Sequence, residues 1–98
     1  MSNEYYKGKT AVITGGASGV GRSLAFGLGR AGANVVIGDV DANAMESIAK
    51  DLSSEGIPNR IERCDVTDKA SLQSLLDASL EAFGQVDLVF ANAGIGAG

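Results

Sequence analysis

Residues 10–21 read TAVITGGASGVG, and the change of character at Gly15 decides the fold. Thr10 to Thr14 is a β-branched, apolar run too short for a helix and bounded by Gly15-Gly16, so it reads as a strand. Beyond the glycines, Val20, Leu24, Leu28 and Ala31 recur at helical spacing until Gly32 stops the segment. The unit is therefore strand, glycine turn, helix. Outward from it the alternation continues. Asn34 to Asp39 is a second apolar strand. Met45, Ile48, Ala49 and Leu52 mark a second helix, capped by Asp41 and closed by Gly56 and Pro58. Residues 61–66 read as a third strand, and Thr67 or Asp68 caps a third helix with the stripe Leu72, Leu75, Leu76, Ser79, Leu80, Phe83. Gly84 ends that helix, and residues 86–91 form a fourth strand.

Short apolar strands alternating with helices imply a parallel sheet buried on both faces. Right-handed crossovers then favour the strand order 3-2-1-4, with helices one and two on one face and helix three on the other. The expectation is one three-layer α/β domain over residues 1–98, Rossmann-like, with four parallel strands.

Composition narrows the function classes. Of 98 residues, 45% are hydrophobic and 20% charged, which suits a globular chain and not a disordered one. Fourteen glycines against one proline, without a Gly-X-Y period, must serve turns and close approaches. The net charge is −4 and the lysines and arginines are scattered, so no basic stripe offers a nucleic-acid surface. With no histidine and a single cysteine, Cys64, neither a metal cluster nor an internal disulfide can be assembled. No apolar run approaches the ~18 residues of a membrane span, and residues 1–9 are polar. A soluble protein of a reducing compartment, the cytoplasm, is the expectation.

The glycine turn carries the chemistry. Thr14-Gly15-Gly16-Ala17-Ser18-Gly19-Val20-Gly21 joins a strand to a helix, and so presents the helix's unpaired N–H groups at the carboxyl edge of the sheet. A pyrophosphate is favoured there by hydrogen bonding and by the helix dipole. Gly15 permits the tight turn, Gly19 the close approach of a dinucleotide, and Gly21 close helix-to-strand packing. The spacing G-x-G-x-x-G fails because Leu24 stands where its last glycine belongs. The motif is instead T-G-x-x-x-G-x-G, which resembles the short-chain dehydrogenase/reductase family.

Three further segments, each at a strand tip, agree with that resemblance. Asp39 lies eighteen positions after Gly21, where a carboxylate accepts hydrogen bonds from the adenosine ribose and repels a 2′-phosphate. The residues expected beside it, Ala17, Ser18, Val40 and Asp41, include no cation, and Arg22 lies past the last glycine, so NAD is expected over NADP. Asp65-Val66 resembles the family's contact to the adenine, and Asn92-Ala93-Gly94 resembles its N-N-A-G, with Ala91 replacing the first Asn. The resemblance marks Gly15, Ser18, Gly19, Val20, Gly21, Asp39, Val40, Asp65, Val66, Asn92, Ala93 and Gly94 as residues that bind NAD.

The same resemblance implies an oxidoreductase that interconverts an alcohol and a carbonyl, using a Ser and a Tyr-x-x-x-Lys pair placed after the fourth strand. None occurs here: the tyrosines are Tyr5 and Tyr6, ahead of the first strand and followed by the wrong spacing. No residue of these 98 is a candidate catalytic group, so the chain alone is expected to be inactive. It reads as a cofactor half, its glycine-rich end at Gly98 resembling a loop cut short. The alternatives are a non-catalytic NAD-binding module and a self-assembling scaffold fragment. As such a half it would expose the edge of the fourth strand, Leu88 to Ala91, and part of the sheet near Val12, Ile13, Val89 and Phe90. A homo-oligomer formed through that edge is expected.

Overall fold

The computed structural model describes residues 5–15 and 19–92. Seven elements alternate as the sequence predicts: β1 (Thr10–Thr14), α1 (Gly19–Arg30), β2 (Asn34–Asp39), α2 (Ala42–Ser54), β3 (Asn59–Arg63), α3 (Lys69–Phe83) and β4 (Leu88–Ala91). The four strands form one parallel sheet in the order β3-β2-β1-β4. The connection from β3 through α3 carries β4 to the far side of β1, so β1 is central, and its five residues are all buried.

Alternation along the strands splits the core into two layers. Ala11, Ile13, Val35 and Ile37 pack with Ala25, Leu28, Met45, Ile48 and Leu52 from α1 and α2. Val12 and Val36 face the other way, onto Leu75 of α3 and onto Cys64. Helices one and two therefore share one face and helix three covers the other. Each fully buried Ile or Leu here contributes roughly 1.5–3 kcal/mol relative to exposure.

The helix ends form by local chemistry. Asp41 accepts a hydrogen bond from the Ala44 N–H at 3.0 Å, and Asp68 one from the Ala70 N–H at 3.0 Å, each satisfying a donor that the helix itself leaves unpaired. Gly84 ends α3 at φ 74°, a left-handed conformation that a side chain would strain, and its N–H donates to the Leu80 carbonyl.

Several expectations are corrected. The predicted third strand, residues 61–66, begins and ends earlier, at Asn59 and Arg63, because the ladder with β2 pairs Val35 with Asn59 and Asp39 with Arg63. After that, Asp65 accepts from Thr67 and turns the chain into α3. The fourth strand begins at Leu88 and not at Val86. On α1 the buried face is Gly21, Ala25, Phe26, Leu28 and Gly29, whereas Val20 is 71% exposed. Small residues let this helix sit close to the sheet, which turns its first bulky residue outward. On α3, Leu80 is exposed while Ala78 and Ser79 are buried. The Ser79 hydroxyl satisfies itself by donating to the Leu75 carbonyl at 2.9 Å.

The predicted gap in the sheet is narrower than expected. Val12 and Ile13 are fully covered, and exposure is confined to β4, where Val89 is 59% exposed. Leu88 and Phe90 point inward and pack against the larger core cluster.

Candidate functional site

A row of backbone hydrogen bonds ties the four strand tips together at the carboxyl edge. The Asn92 N–H donates to the Thr14 carbonyl (3.1 Å), the Gly15 N–H to the Gly38 carbonyl (2.8 Å), and the Cys64 N–H to the Asp39 carbonyl (3.0 Å). Each bond extends the ladder one residue past a strand, so the tips hold fixed positions although they lie in loops.

Along this edge, Gly15, Asp39, Val40, Cys64, Asp65 and Val66 line a cleft of about 260 Å³. Five of the six are residues the sequence nominated, drawn from the ends of three strands. Gly15 makes its turn at φ 68°, as the tight turn requires. Asp39 caps β2 and its Oδ1 accepts from the Asp41 N–H at 3.0 Å. Val40, at the rim, is 57% exposed and offers an apolar surface. Asp65 is fixed by two bonds to Thr67, from its N–H (2.9 Å) and its hydroxyl (2.6 Å), while its own N–H donates to Ser71 Oγ at 2.9 Å. The two Thr67 bonds hold the Asp65 carboxyl below the usual carboxylate range against an opposing desolvation, and the charge of Arg63 adds the smallest contribution. Asp65 therefore remains an acceptor well into the acid range.

Cys64 was not nominated, and nothing in its spacing marks it. It reaches the cleft because the β2–β3 ladder runs one residue on. Burial pushes its thiol pKa up, so it is a neutral, packed wall and not a nucleophile.

Of the other nominated residues, Gly19, Val20 and Gly21 open α1. No acidic residue occupies its first turn, so nothing there offsets the positive end of the helix dipole. A Cβ built on Gly19 meets nothing within 4 Å among the described residues, and its φ does not lie in the left-handed region. Among the described residues, neither conformation nor packing demands a glycine there. Gly21 is buried against the sheet. Asn92 makes its tie to β1 through the backbone, and its Nδ2 is buried with no hydrogen-bond partner among the described residues. Ser18, Ala93 and Gly94 lie outside the described residues.

The sheet corrects one electrostatic expectation. No cation was expected beside Asp39, but the ladder sets Arg63 of β3 directly opposite it. Arg22, by contrast, is drawn away: its guanidinium pairs with Asp51 of α2 at 2.5 Å and lies 4.9 Å from the Phe26 ring centre. A larger cleft of about 580 Å³ between α1 and α2 contains this pair together with the Arg30–Glu55 fork. It holds no nominated residue. Among the described residues no cluster of three or more His, Cys, Asp or Glu could hold a metal ion, and no helix is long and apolar enough to cross a membrane.

Comparison with known proteins gives a consistent picture. The sequence model of the family described as short chain dehydrogenase matches residues 9–98. The 3beta-hydroxysteroid dehydrogenase 2 of Eggerthella lenta is 34% identical over 95% of this chain, which spans 36% of that protein. A short chain dehydrogenase/reductase from Burkholderia phymatum, solved in complex with NAD, superposes with a TM-score of 0.84 at 42% identity, over 86% of this chain and 30% of its own. A metagenomic short-chain oxidoreductase solved in complex with NADP superposes at 0.78 with 26% identity, over 85% of this chain and 38% of its own. The chain thus spans about a third of the length of each of these three proteins.

Proposed function

The chain belongs to the short chain dehydrogenase family, and from that premise we propose that it forms the NAD(H)-binding part of an oxidoreductase interconverting an alcohol and a carbonyl. The observation that carries this reading is the placement of Asp39, Gly15 and Asp65 around one cleft at the carboxyl edge of the sheet, with α1 beginning at Gly19 just after the Gly15 turn. The residues fit a dinucleotide: the space at Gly19 is one that a Cβ would fill, and a pyrophosphate there meets N–H groups at the positive end of a helix. Asp39 accepts from the adenosine ribose. Val40 and Val66 would flank the adenine, and Asp65 would accept from its amino group. Bound NAD(H) supplies the hydride chemistry, while these residues bind and orient it.

The groups that would move a proton at the substrate are not among these 98 residues. Tyr5 and Tyr6 precede β1 and so sit at the opposite edge of the sheet from the cleft. Tyr6 packs against the core, and Tyr5 is exposed beside it. A cytoplasmic setting is proposed with this role, and suits the buried, unpaired Cys64.

Titrating the purified chain with both cofactors is expected to show tighter NAD(H) than NADP(H) binding, by about tenfold or more, since a 2′-phosphate against a carboxylate costs over ~1.4 kcal/mol. Asp39→Ala should narrow that difference, and no alcohol or carbonyl should be turned over. Equal affinities in the parent chain would remove Asp39 from its role.

The homo-oligomer proposed from the sequence has a smaller surface than first expected: the unpaired edge of β4 together with exposed Val89. Sedimentation of the chain at micromolar concentration should show self-association, and Val89→Lys should weaken it. Phe90 is the poorer target because it packs inward. A monodisperse monomer in the parent chain would refute the proposal.

A further inference from the structure

We infer that Arg63 is a specificity-determining residue, one that softens the rejection of a 2′-phosphorylated cofactor by Asp39. This rests on the cofactor reading above and deepens it. Asp39 ends β2 and Arg63 ends β3, and the two are register partners in the parallel ladder. Adjacent strands lie ~4.8 Å apart, and residues in register project from the same face of the sheet. That face is the one carrying Ile37 and Ile61, both packed toward α1 and α2. A carboxylate and a guanidinium thus leave neighbouring strand tips side by side.

The other cations near this edge are committed or misplaced. Arg22, the cation in the first turn of α1, is held against α2 by Asp51 and by the Phe26 ring. Side chains on a helix lean toward its N-terminus, so this arrangement pulls Arg22 against that lean and away from the glycine turn. Lys69 opens α3, which covers the opposite face. Arg63 is exposed and makes no ion pair among the described residues. Its charge reaches the site, as the smallest of the effects acting on the Asp65 carboxyl, behind the Thr67 bonds and desolvation.

A guanidinium presents a planar fork that matches a phosphate's oxygens, and it keeps its charge at every working pH. A ribose 2′-phosphate placed beside Asp39 meets repulsion from β2 and attraction from β3. A ribose 2′-hydroxyl, uncharged, gains little from Arg63. The residue therefore acts on the ratio of the two cofactors.

The test measures NAD and NADP dissociation constants in the full chain carrying Arg63→Gln, Arg63→Lys and Asp39→Ala. In Arg63→Gln the preference for NAD should sharpen by about tenfold through weaker NADP binding, as expected on losing one charge-assisted phosphate contact. Arg63→Lys, which keeps the charge but not the fork, should fall between. An unchanged ratio in Arg63→Gln, or equal losses for both cofactors, overturns the inference. If Asp39→Ala narrows the ratio while Arg63→Gln leaves it alone, only the inference fails. If neither dinucleotide binds, or Asp39→Ala changes nothing, the cofactor reading fails with it.

Discussion

Replacing Leu75 with alanine is expected to lower the free energy of unfolding by about 2–5 kcal/mol, a large share of the roughly 5–15 kcal/mol by which such domains are stable. Leu75 is 1% exposed and anchors α3 on a small cluster with Val12, Val36 and Cys64. It fits because Gly38 has no side chain: a Cβ there would come within 2.7 Å of Leu75 Cδ2 and 3.1 Å of Cys64 Cβ. The vacated space is walled by strand backbone on one side, so it cannot readily collapse. Gly38→Ala alone should cost ~1–3 kcal/mol by overpacking. The two changes together should cost less than their sum, since the new methyl enters the space that Leu75 leaves. Urea denaturation reads all three, as a shift of midpoint at constant slope. Strict additivity, or a loss under ~1 kcal/mol for Leu75→Ala, would show that this contact does not hold α3 to the sheet.

The largest expected effect on binding comes from Gly19→Leu, which should weaken NAD(H) by about a hundredfold. The estimate takes two charge-assisted hydrogen bonds to the pyrophosphate at ~1.5 kcal/mol or more each. Stability should hardly change, because a Cβ at this position meets nothing within 4 Å among the described residues and leucine is the better helix former. Gly19→Ala should lie between. The pairing of outcomes is what discriminates: a binding loss without a stability loss assigns Gly19 to the ligand, whereas a stability loss of similar size to that of Leu75→Ala assigns it to packing. Calorimetric titration beside thermal unfolding separates them.

Most of the frame was legible in the linear chain. Period changes at Gly15, Gly32 and Gly84 gave the element order, because a strand of five residues and a helix of twelve bury their apolar side chains at different spacings. Asp41 and Asp68 were legible as caps because capping is chemistry between residues two or three apart. The strand order followed from handedness, and Gly15, Asp39 and Asp65 could be assigned to one edge because parallel strands all end there.

What the linear chain did not hold were facts of distance across it. Which side of α1 is buried depended on how closely the helix approaches the sheet, and that approach runs over Gly21, Ala25 and Gly29, with Leu24 only partly buried and Val20 facing solvent; a Cβ on Gly29 would lie 2.6 Å from Ile57, a residue beyond α2. The end of β3 was set by where its partner β2 stops, not by its own hydrophobicity. Cys64 became a wall of the cleft through one ladder bond to Asp39. Arg63, twenty-four positions from Asp39, became its neighbour. The sequence thus determined the order of elements, their caps and the edge at which a dinucleotide is read, since these depend on local spacing and on parallel strands sharing a direction. The tertiary structure alone decided which charges and surfaces meet at that edge, because register between strands brings together residues that no local pattern connects.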